Sequence, residues 1–157
     1  MNFNKKMNRV LEIFLVILMS VLVVDVLWQV ISRYLLSSPS SFTDELAGYL
    51  LIWVGLLGAA YVAGREEHLA IDLLIQKSPP KRQTRLMVII KVLIFLFALS
   101  VLTVGGIWLM YTRFVLEVKS AALQLPLGYV YIVLPLSGIL IIYYSICQIA
   151  DLIKKDK

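Results

Sequence analysis

Apolar residues in this chain come in blocks long enough to cross a bilayer rather than in short alternating runs. Four blocks stand out, over residues 10–36, 43–64, 86–113 and 127–150. Within them, residues 46–64, 92–112 and 127–150 contain no charged side chain. A helix rises about 1.5 Å per residue, so about 20 apolar residues cover a hydrocarbon core of about 30 Å. The pattern therefore predicts an all-α integral membrane protein, one domain over residues 1–157 with four transmembrane helices. A shorter helix is expected between the second and third spans. There His68, Asp72 and Gln76 recur every four residues among Leu69, Ile71, Leu73, Leu74 and Ile75. A narrow polar stripe on an apolar cylinder suits a short amphipathic helix lying at the membrane interface. Ser78-Pro79-Pro80 ends it, and the basic run over 81–85 then sits at headgroup level.

The flanks refine this picture. Lys5, Lys6 and Arg9 precede the first apolar run as in a signal peptide, but no small-residue cleavage site follows, so an uncleaved signal anchor is expected. Residues 37–41, Ser-Ser-Pro-Ser-Ser, form a turn cluster. Thr43 is expected to cap the second helix, with Asp44 and Glu45 in its first turn, where the helix dipole favours anions. Pro126 suits the start of the fourth helix, and Pro135 is expected to kink it.

Composition excludes whole classes of function. The 157 residues are 61% hydrophobic and 16% charged, against about 45–50% and about 25% in soluble domains. Mean hydropathy is +0.88. One cysteine, Cys147, permits no intrachain disulfide, and one histidine, His68, permits no bis-histidine haem. A four-ligand zinc site cannot be assembled from them, and no glycine-rich loop precedes a Lys-Ser/Thr pair. No catalytic residue, metal ligand or cofactor is expected in this chain. The net charge of +5 reads as a topology signal, not as a nucleic-acid surface. Lys5, Lys6, Arg9, Arg65, Lys77, Lys81, Arg82, Arg85, Lys91, Lys154, Lys155 and Lys157 fall on one side of the four spans. Arg33, Arg113 and Lys119 fall on the other. Twelve against three places both termini and the middle loop in the cytoplasm of a multi-pass inner-membrane protein.

Few polar groups enter the spans. Asp25 lies about 24 Å along the helix from Arg9, in the outer half of the bilayer, and Gln29 and Arg33 extend a stripe outward from it. An ionisable group at that depth faces protein or water. It can serve a relay or ion site, meet a neighbouring helix or partner, or snorkel outward; contact with protein is the preferred reading. Gly55, Ala59 and Ala63 form a small-residue stripe that lets another helix approach closely, within the chain or from a second subunit. Lys91, one turn inside the third span, is expected to snorkel toward the cytoplasm.

An ordered set of short motifs resembles the small transmembrane (Q) subunit of tripartite ATP-independent periplasmic (TRAP) transporters. It comprises Arg33-Tyr34, Phe42-Thr43-Asp44-Glu45-Leu46-Ala47, Trp53, Gly58-Ala59 and Glu67-His68-Leu69-Ala70-Ile71-Asp72. Leu125-Pro126-Leu127-Gly128-Tyr129 and Pro135 with Gly138 complete it. The chain departs from the family at Phe42, often Trp, at Asp44, often Glu, and at Gly48, often basic. The resemblance implies a non-catalytic scaffold that binds a much larger multi-span membrane subunit. That subunit would carry sodium and the substrate, an organic acid such as sialic acid or a dicarboxylate delivered by a periplasmic substrate-binding protein. Asp25, Gln29, Arg33, Gly55, Ala59 and Ala63 are then candidates for the subunit interface, and Asp44 and Glu45 for contact with the binding protein. Membrane lipids are the remaining partner expected, and nucleic acid is not. Two other readings stand beside this one: an autonomous four-helix exporter, and an accessory subunit of another membrane complex. The strong charge bias and the off-centre position of Asp25 count against the exporter.

Overall fold

A computed structural model of the protein describes residues 2–35, 40–65 and 80–155. Among them the structure is helical without strands, and four helices are long and apolar enough to cross a membrane. Helix α1 runs over Asn2–Tyr34 and α2 over Ser41–Arg65. The third span, Arg85–Val115, is composite. It joins α3 (Pro80–Phe97), a π-helical segment (Ala98–Gly105) and α4 (Gly106–Val115). The fourth span joins a single turn, α5 (Leu127–Tyr131), to α6 (Val133–Lys155). The expected interfacial helix over 68–76 lies outside the described residues.

Local chemistry accounts for the breaks. Pro126 stands just before α5 with φ −61° and ψ 120°, the extended geometry of a residue that opens a helix. Pro135 has no N–H to give the carbonyl four residues back, and the helix is interrupted three residues earlier, at Ile132. Leu136 N–H restores the ladder by donating to Ile132 O at 3.2 Å. Thr43 does not cap α2. The helix starts two residues earlier, and Thr43 Oγ1 donates backward to the Ser40 carbonyl at 2.9 Å.

The π-helical segment marks a close crossing of the third and fourth spans. Its wide turn turns Ala98 and Leu102 inward, against Ile141 of α6 and against Ala60 and Ala63 of α2. A methyl group added at Gly138 would lie 2.5 Å from Thr103 Oγ1 and 3.0 Å from Leu102 Cβ, and one at Gly106 would lie 2.7 Å from Leu134 Cβ. The two glycines let the third and fourth spans approach at backbone distance. Thr103 Oγ1 donates to Ala98 O, five residues back, and so uses a carbonyl within the wide turn. A second cluster of Leu11, Leu57, Val133 and Tyr144 joins α1 and α2 to α6.

Candidate subunit interface

Polar groups inside the spans serve two different purposes. At the end that holds both termini they tie the helices together. Tyr143 Oη donates to Asn4 Oδ1 at 2.8 Å, and Tyr144 Oη donates to Asn8 Oδ1. Lys91 Nζ donates to Gln148 Oε1 at 2.5 Å, and Gln148 Nε2 donates to the Ala63 carbonyl at 2.7 Å. Spans two, three and four are thus joined through one buried carboxamide. Lys91 is part of this tie, not simply a snorkelling surface lysine, because Gln148 supplies an acceptor within reach.

At the opposite end, Glu45 holds a hairpin. Its carboxylate accepts from Ser120 Oγ at 2.7 Å and from the backbone N–H groups of Ala121, Ala122 and Leu123 at 2.9, 3.0 and 3.1 Å. Ser120 N–H donates to Leu125 O, and Leu127 N–H to Val118 O, which closes the turn. Glu117 and Gln124 take left-handed backbone, φ 47° and 54°, where the chain reverses. Glu45 is therefore engaged within its own chain, whereas Asp44 beside it faces outward. Asp44 pairs with Arg33 at 3.7 Å, both side chains about half exposed, so this ion pair adds little stability.

The candidate stripe on α1 changes character along its length. Arg33 is exposed, Gln29 half-buried and Asp25 only 8% exposed. Asp25 Oδ2 is buried without a hydrogen-bond partner. The small-residue stripe on α2 divides in the same way. Ala63 is buried and its carbonyl is engaged by Gln148, while Gly55 and Ala59 are exposed. A methyl group added at Gly55 or Gly58 would meet nothing within 4 Å. Trp53 faces inward, its Nε1–H donating to Val130 O at 3.1 Å and its ring 6.4 Å from that of Phe14. Tyr34 is exposed. Pro126 and Pro135 shape the start of span four, as described above. His68 and Asp72 lie outside the described residues.

Among the described residues, no three His, Cys, Asp or Glu side chains come together in a way that could hold a metal ion. The inner tie went unread in the sequence. Asn4 and Asn8, four apart, and Gln148, a carboxamide within an uncharged span, were the available signals.

Four helices long and apolar enough to cross a membrane, held by internal polar ties and leaving open faces, are the architecture of a multi-pass membrane protein. Residues 22–155 match the family of tripartite ATP-independent periplasmic transporters, DctQ component, and the chain belongs to that family. This family is a transporter component and not a family of catalytic enzymes. The chain is 29% identical over 136 residues to a Haemophilus influenzae protein named as a TRAP transporter small permease, covering 85% of this chain and 81% of that one. It is 25% identical over 150 residues to the sialic acid TRAP transporter small permease protein SiaQ of Vibrio cholerae, covering 96% and 85%. A 73-residue stretch is 36% identical to the sialic acid TRAP transporter permease protein SiaT of Haemophilus influenzae, covering 44% of this chain and 12% of that one.

Proposed function

We propose that this TRAP small subunit is a fixed scaffold for a large multi-span membrane subunit and carries no transport site of its own. The observation that carries the reading is how the intramembrane polar groups are used. Lys91, Gln148, Asn4, Asn8, Tyr143 and Tyr144 are committed to holding the four spans together. Transport sites in secondary carriers need convergent polar groups near the midplane, usually at broken helices. Here the π-helical segment packs on Gly138 through Leu102 and Thr103, and Gly106 just after it packs on Leu134 and Pro135, which leaves the crossing filled.

The SiaT match supports a large partner. The matched stretch is about an eighth of that permease, so a much longer chain includes a segment like part of this one. In our reading the large subunit binds sodium and an organic acid, sialic acid or a dicarboxylate, that a periplasmic binding protein delivers. Open Gly55 and Ala59, and the outer part of the Asp25 stripe at Gln29 and Arg33, form the surface for the large subunit, with buried Asp25 beneath it. Asp44 is the carboxylate available to the binding protein, since Glu45 is occupied by residues 120–123. Both termini lie in the cytoplasm, and the chain acts as one four-span domain.

Co-purification tests the scaffold role. The tagged chain should retain the large membrane subunit in detergent, and Ala59→Leu should weaken that retention without lowering the chain's own yield. Equal retention by Ala59→Leu would remove Gly55 and Ala59 from the interface. Orientation is tested separately in a Cys147→Ser background. A cysteine at Ser40 should react with an impermeant maleimide in whole cells; reaction only after the inner membrane is opened would reverse the topology.

A further inference from the structure

A cleft of about 330 Å³ opens between the end of α4 and the start of α5, lined by Arg113, Phe114, Glu117, Lys119, Pro126 and Tyr129. It holds two of the three Lys and Arg residues found at this end of the spans. Among the described residues, neither forms an ion pair with a carboxylate. The Arg113 guanidinium lies 5.9 Å from the Tyr131 ring centre, and its Nε is buried without an acceptor. An arginine that gives up water and gains only a ring face retains most of its capacity to bind an anion. Glu117 is the single acid lining the cleft, so its charge is net positive.

The cleft is built on a fixed frame. Lys119 is bridged to Pro126 across the hairpin, and Glu45 clamps residues 120–123. Its apolar wall is an edge-to-face pair, Phe114 on Tyr129, with ring centres 5.1 Å apart. Gly128 makes room for that wall, because a methyl group there would lie 2.6 Å from the Phe114 ring. Depth is marked by aromatic residues. Trp108 is 71% exposed, Tyr111 65% and Tyr129 60% around the same end of the bundle. Exposed Trp and Tyr collect at the headgroup level of a bilayer.

We infer that this cleft binds the phosphodiester headgroup of a membrane lipid, with Arg113 and Lys119 as the cations and the Phe114–Tyr129 wall against the upper acyl chain. Phosphodiesters are the anions present at that depth, and a Lys or Arg held near the membrane surface attracts an anionic headgroup by about 1 kcal/mol. A small soluble anion would use the two cations but not the aromatic wall. The inference rests on the membrane-spanning fold and is independent of the scaffold role.

Native mass spectrometry of the full-length chain in detergent tests it, with palmitoyl-oleoyl phosphatidylglycerol as probe. The chain should retain one such lipid. Retention should fall about fivefold for each cation removed in Arg113→Gln, Lys119→Gln and the double variant. Glu117→Gln, which removes the opposing charge, should raise it. The matching diacylglycerol should not be retained, and millimolar inorganic phosphate should not displace the lipid. Unchanged retention in the double variant, or equal retention of the diacylglycerol, would overturn the inference. Displacement by inorganic phosphate would reassign the cleft to a soluble anion and overturn it as well. If the double variant does not purify, Glu117→Gln decides alone: increased retention supports the site, and unchanged retention rejects it.

Discussion

Spans one and four are both apolar enough to cross a membrane but have opposite roles. In the most apolar stretch of span four, 44% of residues are buried within the chain, against 11% in span one. Span four turns Val133, Ser137, Ile141, Tyr144, Ser145 and Gln148 inward and meets the third span at Gly138. Span one buries Leu11, Asp25 and Ser32 and presents Val16, Met19, Val23 and Val24 along an open groove. Hydropathy alone does not separate the two, because lipid and protein are both apolar surroundings. Their polar residues do. Those of span four close hydrogen bonds inside the chain, as do Asn4 and Asn8 at the start of span one, whereas farther along span one retains a buried carboxylate oxygen without a partner. One span builds the fold, and the other has surface left over for lipid or another subunit.

The largest effect should come from filling the crossing of spans three and four. Gly138→Leu forces a side chain into Thr103 and Leu102 and should destabilise the purified chain by about 1–3 kcal/mol, the usual cost of overpacking. Val23→Leu, the matched enlargement on span one, should change stability by less than about 0.5 kcal/mol. Thermal unfolding in detergent measures both, and equal losses would erase the distinction between the spans. The inner tie comes next. Gln148→Leu removes one acceptor of Lys91 and the donor to Ala63 O. A double-mutant cycle with Lys91→Met should give a coupling of about 0.6–1.7 kcal/mol, the range of hydrogen bonds within membrane bundles. Zero coupling would mean that Lys91 is held by water or headgroups instead.

The smallest effect on the isolated chain should be that of Asp25→Asn, which keeps the shape and removes the unpartnered charge. Stability should change little, while retention of the large subunit should fall modestly. In reconstituted vesicles the ratio of sodium to substrate should stay the same. An altered ratio would make Asp25 part of ion coupling and give span one a role that no interface explains.

Much of this architecture was legible in the chain. Uncharged stretches at 46–64, 92–112 and 127–150 located three spans, and Pro126 and Pro135 located the start and the break of the fourth. The first helix extends back to Asn2, through Lys5 and Lys6. Its early turns are fixed by Asn4 and Asn8 bonding to tyrosines more than 130 positions away, a pairing that no local pattern announces. The π-helical segment was hidden for a similar reason. Its sequence, ALSVLTVG, suits an α-helix equally well, and the wide turn accompanies a close approach to Gly138 in another span. Glu45 was legible as an acid in the first turn of a helix. Its four donors are not, since they lie 75 to 78 positions along the chain. Local signals thus marked where helices begin and end, and packing decided which of their faces are used.

The central claim is that this chain holds a transporter together without transporting. Uptake into proteoliposomes tests it most directly, under an inward sodium gradient, with the binding protein supplied and labelled sialic acid or dicarboxylate as substrate. The purified chain alone should give no sodium-dependent uptake, and uptake should appear when the large membrane subunit is reconstituted with it. Robust uptake by this chain alone would contradict the scaffold reading and establish it as a carrier in its own right.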